Sequence, residues 1–285
     1  MNGTPLTWLY VPGDRPGVVA KALRSGADVV LVDLEDAVAP DRKEYARSAT
    51  AELLADPAPG PVPVHVRVNA LDGPLAGADV RALTGLPGLG ALRLPKVTGP
   101  AELERVARWT EQAGHRPPPL YALLESALGV ERAYEIATAR PAPCGIALGE
   151  ADLRADLGVA GTPGLAYARG RTVVAARAAG LAPPPQSVYP DVRDTEGLAA
   201  SCAEGRAAGF VGRTAIHPRQ LPVIERAYRP TAEEVESAQQ IVRAAETEAG
   251  ALALPDGRFV DTAVVAAATR TLELAARAGL SPSGA

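Results

Sequence analysis

Aromatic residues are scarce in this chain. Two tryptophans, two phenylalanines and seven tyrosines amount to 4% of 285 residues. A core built on large rings is excluded, and Ala, Val and Leu are expected to fill it. No run of Lys or Arg stands out, and the net charge is -4, so no nucleic-acid partner is expected. The two cysteines, Cys144 and Cys202, lie far apart without metal-ligand spacing. Cys144 opens an apolar run and reads as a small buried hydrophobe. His65, His115 and His217 show no ligand pairing, which argues against zinc. No apolar stretch is long enough to span a bilayer. No charged-then-apolar leader stands at the start, so a cytoplasmic location is expected.

What the chain does have is repetition. Eight short apolar runs end in polar or charged residues: Thr7–Val11, Val29–Leu34, Val62–Val68, Ala91–Lys96, Leu120–Glu125, Gly145–Gly149, Gln186–Tyr189 and Thr214–His217. Segments rich in Ala, Leu, Arg and Glu with helical periodicity separate them. The repeat fits a βα unit with its loops. Val29–Leu34 has lost apolar–polar alternation, as a strand buried on both faces does. The expectation is an α/β fold, an eight-stranded parallel (β/α)8 barrel whose polar strand ends share one rim. An open doubly wound sheet would need a phosphate-binding glycine turn after an early strand. Pro12-Gly13-Asp14-Arg15-Pro16-Gly17 lacks that spacing.

Pro16–Ser25, Ala101–Gln112, Gly129–Thr138 and Arg171–Ala179 read as helices, with proline near the start of the first and Gly180 after the last. Near Arg229 the character changes. The barrel is assigned to residues 1–229 and a C-terminal helical extension to 230–285. Within that extension Thr231-Ala232-Glu233-Glu234 caps a charged helix, Leu252–Val260 carries a turn, and Asp261–Gly279 forms a last helix. It is too small to hold its own core.

The strand ends carry the candidate chemistry. Glu35 and Asp36 close the second run, after Asp33. Arg67 stands inside a β-branched run, where a guanidinium is costly to bury without a carboxylate partner from protein or substrate. Glu125 and Asp152 follow consecutive runs and are candidate ligands for Mg²⁺, which takes one or two protein carboxylates and completes its shell with water and substrate. Lys96 binds an anion or pairs with a rim acid. Gly149 lets backbone amides approach a carboxylate or makes a tight turn. His217 is a candidate base or a barrel-closing residue. Arg15 and Lys96 are candidates to meet phosphates or a carboxylate.

Taken in series, these segments resemble the citrate lyase β-subunit-like group of the HpcH/HpaI aldolase superfamily. The resemblance rests on Leu9-Tyr10-Val11-Pro12-Gly13-Asp14-Arg15-Pro16, Asp33-Leu34-Glu35-Asp36-Ala37-Val38, Val66-Arg67-Val68-Asn69 and Leu94-Pro95-Lys96. It continues through Leu124-Glu125-Ser126, Gly149-Glu150-Ala151-Asp152-Leu153, Asp194-Thr195-Glu196-Gly197-Leu198 and Gly209-Phe210-Val211-Gly212-Arg213-Thr214-Ala215-Ile216-His217-Pro218. Two departures stand out: Ala151 where an acid is usual, and Arg213 for a common lysine.

The resemblance implies a TIM barrel assembling as a homotrimer or homohexamer. It implies Mg²⁺ on Glu125 and Asp152, with Arg67 gripping the carboxylate of a 2-oxo or 2-hydroxy acid. It implies a carbon–carbon lyase that splits or forms a hydroxyacyl-CoA thioester, giving an acyl-CoA and a 2-oxo acid. Asp256-Gly257-Arg258-Phe259-Val260-Asp261 resembles a lid segment that offers Asp261 to a neighbouring subunit as acid/base. Three alternatives remain: an aldolase on free hydroxy-oxo acids, a synthase or thioesterase outcome, and a non-catalytic or carrier-dependent subunit.

Overall fold

The structure is a computed structural model that describes residues 5–247, 252–253 and 259–277. It divides into two compact units, Leu6–Ala227 and the residues from Tyr228 onward.

The first unit is a parallel barrel. Its strands are β1 (Thr7–Pro12), β2 (Val29–Asp33), β3 (Val64–Arg67), β4 (Leu89–Leu94), β5 (Leu120–Leu124), β6 (Gly145–Leu148) and β7 (Arg213–Ala215). The sheet order is β6-β5-β4-β3-β2-β1-β7. Helices cover the outer face of the sheet, so β2 and β6 are buried along their whole length and read as continuous apolar runs. The expected strand Gln186–Tyr189 is reduced to one parallel bridge, Gln186 to Arg213. Pro183, Pro184 and Pro185 precede it and supply no N–H to a ladder. The Glu150 N–H donates to Ser187 Oγ at 3.1 Å and ties the end of β6 to that segment. Close approach completes the circuit between β7 and β1. A Cβ on Gly212, which sits at φ 75°, would collide with the Leu6 backbone.

The inside of the barrel departs from the aliphatic core expected. Trp8, Tyr10 and Tyr121 fill it together with His65, Arg67 and Arg93. The His65 and Tyr121 rings lie 5.3 Å apart, and the Arg93 guanidinium sits 4.4 Å from the Tyr121 ring and 5.9 Å from Trp8. Aliphatic side chains such as Val30, Val32, Val66, Leu92 and Leu94 are buried at alternate positions.

Helix starts follow their signals, with proline in the first turn at Pro16–Ala22 and Pro100–Gln112. The expected helix Gly129–Thr138 is two short pieces, Ala127–Glu131 and Ala133–Ala137, because Arg132 adopts ψ 13° between them. Cys144 is exposed, contrary to its sequence reading, while Cys202 is buried beside Arg213. Cys144 stands one residue ahead of β6 and is spared the strand's two-sided cover.

In the second unit, helices Ala232–Thr247 and Thr262–Arg277 pack on each other, and Leu252–Ala253 pairs antiparallel with Phe259–Val260. Thr231 and Glu234 cap each other's backbone N–H at 2.8 and 3.1 Å, a reciprocal capping box. No helix among the described residues is long and apolar enough to cross a membrane.

Candidate active site

A cleft of about 360 Å³ opens at the C-terminal rim. Tyr10, Asp33, Asp36, Arg67, Arg93, Glu125, Gly149 and Asp152 are among the residues lining it. The cleft follows from topology, since every parallel strand delivers its last residues to the same end.

Arg67 is the centre of the cluster. Its Nε and Nη2 donate to the two carboxylate oxygens of Asp33 at 2.7 and 2.6 Å. The two residues sit opposite each other in the β2–β3 register. Nη1 lies 2.8 Å from Glu35 and 3.3 Å from Asp36. The Tyr10 ring faces the guanidinium at 5.0 Å. The sequence left open whether a carboxylate of protein or substrate meets Arg67, and three protein carboxylates do. Burial alone would lower the Arg67 pKa, but the Asp33 bond and the nearby Tyr10, Asp33 and Glu35 raise it. Asp33 is fixed further by the Glu35 and Ala37 N–H groups, both at 2.9 Å. Just past Arg67, Asn69 is held by Asp79, which also binds Arg47 at 2.7 Å.

Lys96 follows β4 with φ 54°, a left-handed conformation that side chains other than glycine rarely adopt. Its N–H donates to Glu125 Oε2 at 2.8 Å, and its ammonium lies 3.1 Å from Glu35 and 4.0 Å from Asp152. Burial would lower the Lys96 pKa, yet Glu35, Asp36 and Asp152 raise it. Strain at Lys96 is therefore coupled to the position of the Glu125 carboxylate.

Glu125 packs against Gly149 so closely that a Cβ there would overlap its carboxylate. Glycine at 149 is thus required by the acid beside it. Burial, then Glu35 and Asp152, push the Glu125 pKa up to about 7 against the opposing pull of Arg67. Asp152 is in the first turn of the helix Glu150–Leu157, which has no side-chain N-cap and leaves first-turn N–H groups free of intrahelical partners. Glu150 turns away to a two-pronged pair with Arg169 at 2.7 and 2.8 Å. Ala151 adds no acid of its own beside Asp152, and Glu150, which also lines the cleft, is engaged by Arg169.

The donor set suits a divalent cation of the hard, oxygen-seeking kind. Five carboxylates (Asp33, Glu35, Asp36, Glu125, Asp152) gather around two rim cations, Arg67 and Lys96. Burial and the neighbouring acids raise the Glu125 pKa to about 7. No cluster of three or more metal-type ligands forms among the described residues, and Mg²⁺ commonly takes one or two protein carboxylates, completing its shell with water and substrate oxygens. Were Glu125 a ligand, Mg²⁺ would have to displace its proton. The apparent Mg²⁺ affinity is expected to fall about tenfold per unit as pH drops below about 7, measured by calorimetric titration. A pH-independent affinity would show that Glu125 is not a ligand.

Of the remaining candidates, Arg15 is exposed on the same rim but does not line the cleft. His217 is exposed and accepts the Arg219 N–H through Nδ1 at 3.1 Å, as the cap of a short turn. Asp261 caps the helix Thr262–Arg277 through the Val264 N–H at 2.9 Å. Asp33, Tyr10, Ser187 and Arg93 join the cleft without having been singled out. Arg93 carries the same signal as Arg67, a guanidinium inside an apolar strand.

Fold and rim together define a TIM-barrel enzyme with its chemistry at the C-terminal strand ends. Residues 6–218 match the HpcH/HpaI aldolase/citrate lyase family, and 177–275 match a carbon–carbon bond lyase family of the TIM-barrel fold. The chain belongs to the HpcH/HpaI aldolase/citrate lyase family. It is 36% identical over 282 residues to citrate lyase subunit beta of Leuconostoc mesenteroides subsp. cremoris, covering 94% of this chain and 92% of that protein. It is 36% identical over 270 residues to a (3S)-malyl-CoA thioesterase of Cereibacter sphaeroides, covering 93% and 92%. The structure of CitE from Mycobacterium tuberculosis with magnesium, acetoacetate and coenzyme A superposes with a TM-score of 0.82 at 33% identity, over 97% of this chain and all of that one.

Proposed function

We propose that the chain is a Mg²⁺-dependent carbon–carbon lyase that splits a hydroxyacyl-CoA thioester into an acyl-CoA and a 2-oxo acid. The observation that carries this is the rim cluster: Glu125 and Asp152 in one cleft with Arg67. Mg²⁺ held by those two carboxylates would polarise the oxygen that becomes the ketone. The chain's own groups bind and orient the acid. Arg67 has five N–H donors; Asp33 accepts two and Asp36 one, while Glu35 lies 2.8 Å from Nη1 as an ion pair. A substrate carboxylate takes the free N–H of Nη2 and displaces Asp36, which is 54% exposed and held at 3.3 Å. The first-turn N–H groups at Ala151 and Asp152 favour the same negative charge. Lys96 and Glu35 pair at 3.1 Å between Arg67 and Asp152.

Asp261 acts as the acid/base from a neighbouring subunit in this reading, and the protein is a homotrimer or homohexamer. Exposed apolar side chains on the barrel helices, Leu128, Tyr134, Tyr167 and Val174, support contact between copies. Arg15 and Lys96 serve the negative charges of CoA.

The test offers malyl-, citramalyl- and citryl-CoA with Mg²⁺ and follows 2-oxo acid and free thiol separately. Oxo acid without thiol is expected. Free CoA would favour the thioesterase outcome that the Cereibacter relative's name describes. Cleavage of free hydroxy-oxo acids would overturn the thioester reading. In the same assay Asp261→Asn keeps the helix cap, since Asn caps as well as Asp. Turnover is expected to fall about a hundredfold with Mg²⁺ affinity unchanged. Unchanged turnover would leave Asp261 as a cap alone.

A further inference from the structure

Arg93 has no place in the chemistry described so far. It is 2% exposed and lines the cleft. Its Nε and Nη2 find no hydrogen-bond partner among the described residues. The rings of Tyr121 and Trp8 flank it, and His65 completes the layer through Tyr121. His65 offers no compensation. Burial and the Arg93 charge push it down to about 3, so it faces the guanidinium as a neutral imidazole. Burial also pulls the Arg93 pKa below its usual value, but arginine stays protonated in proteins.

A desolvated guanidinium without a counter-charge is costly, and a methionine would fill the same space without that cost. Arg67, its register partner on β3, shows what protein carboxylates do for a guanidinium at this depth. Arg93 has none. Its counter-charge must therefore come from the cleft. Adjacent strands lie about 4.8 Å apart, which sets the two guanidinium-bearing positions side by side. That spacing suits the two carboxylates of one short diacid.

We propose that Arg93 receives a second carboxylate carried by the oxo-acid half of the substrate and so selects dicarboxylic over monocarboxylic oxo acids. The inference rests on the reading of the cleft as an oxo-acid site. Arg93 sets specificity here, whereas the reacting atoms are served by the groups on the rim.

The test measures binding of oxaloacetate and pyruvate to the full chain with Mg²⁺ by calorimetry. The two acids share the oxo-carboxylate end and differ in the second carboxylate. Arg93→Met is expected to weaken oxaloacetate by about ten- to hundredfold, the worth of a charge-assisted hydrogen bond, and to leave pyruvate within about twofold. Arg93→Lys keeps the charge and is expected to recover part of the oxaloacetate affinity. If Arg93→Met does not fold, Arg93→Lys decides alone: its shorter reach should weaken oxaloacetate while sparing pyruvate. Equal weakening of both acids, or of neither, overturns the proposal while leaving the oxo-acid site standing. Failure of the wild-type chain to bind either acid overturns both.

Discussion

Replacing Glu125 with glutamine is expected to lower turnover by about two to three orders of magnitude, roughly 3–4 kcal/mol of transition-state stabilisation, in a barrel that remains folded. The argument turns on what glutamine keeps. It still accepts the Lys96 N–H, now made to Glu125 at 2.8 Å, so the left-handed turn at Lys96 stays anchored. It has the same shape against Gly149. Only the charge is lost, and with it one of the two carboxylates proposed to hold the cation. Mg²⁺ affinity should collapse in calorimetry while the melting profile does not. The metal-free variant should be no less stable than the wild type above neutral pH. Burial holds the wild-type carboxyl near 7 in the folded state, well above the ordinary carboxylate range. The folded state then binds more protons than the unfolded one between that range and about 7, so this group's contribution to stability falls as pH rises. Glu125→Ala tests the other half. It strands the Lys96 N–H and should cost about 1–3 kcal/mol of stability in addition. Full turnover by Glu125→Gln in the presence of a chelator would dismiss the cation from the reaction.

The barrel was legible because its strands are buried on both faces and therefore read as uninterrupted apolar runs, as at Val29–Asp33. Its weak strand was not legible as weak. Gln186–Tyr189 has the right residues, but the three prolines ahead of it limit pairing to one bridge. Arg67 was legible because a guanidinium inside a β-branched run needs a carboxylate. Its partners were less so. Asp33, Glu35 and Asp36 sit 31 to 34 residues away, and only the register of β2 against β3 sets Asp33 opposite Arg67. The pairing of Glu125 with Gly149 and Lys96 depends on the close approach of three strand ends, which no local pattern encodes. Arg93 belongs to the inside of the barrel, beside the rings of Trp8 and Tyr121. Alternation alone could not separate an inward arginine from an edge one, because β4 is apolar on both faces. Cys144 failed for a related reason: it stands one residue ahead of the strand.

Arg67→Met is expected to destabilise the fold by about 3–5 kcal/mol in addition to abolishing turnover, because it removes the counter-charge of two buried acids. The Asp33 side chain is 1% exposed and that of Glu35 6%. Asp33 keeps its two backbone donors, so part of its charge remains met. Glu35 keeps only Lys96, whose side chain is 42% exposed. The deficit should shrink on acidification. Stranded buried carboxylates have raised folded-state pKa values, and the folded state then gains protons relative to the unfolded one as pH falls. Denaturant melts at pH 5 and pH 8 would read this directly. A second substitution separates structure from function. Asp33→Asn in the Arg67→Met background removes the stranded charge and keeps acceptor and shape. It should restore part of the stability through a favourable coupling energy. It should restore no turnover, because the substrate carboxylate would still find no guanidinium at the rim. A double variant that recovered activity with stability would make Arg67 a structural counter-ion only. The substrate's carboxylate would then have to rely on the backbone N–H groups at the start of the Glu150–Leu157 helix.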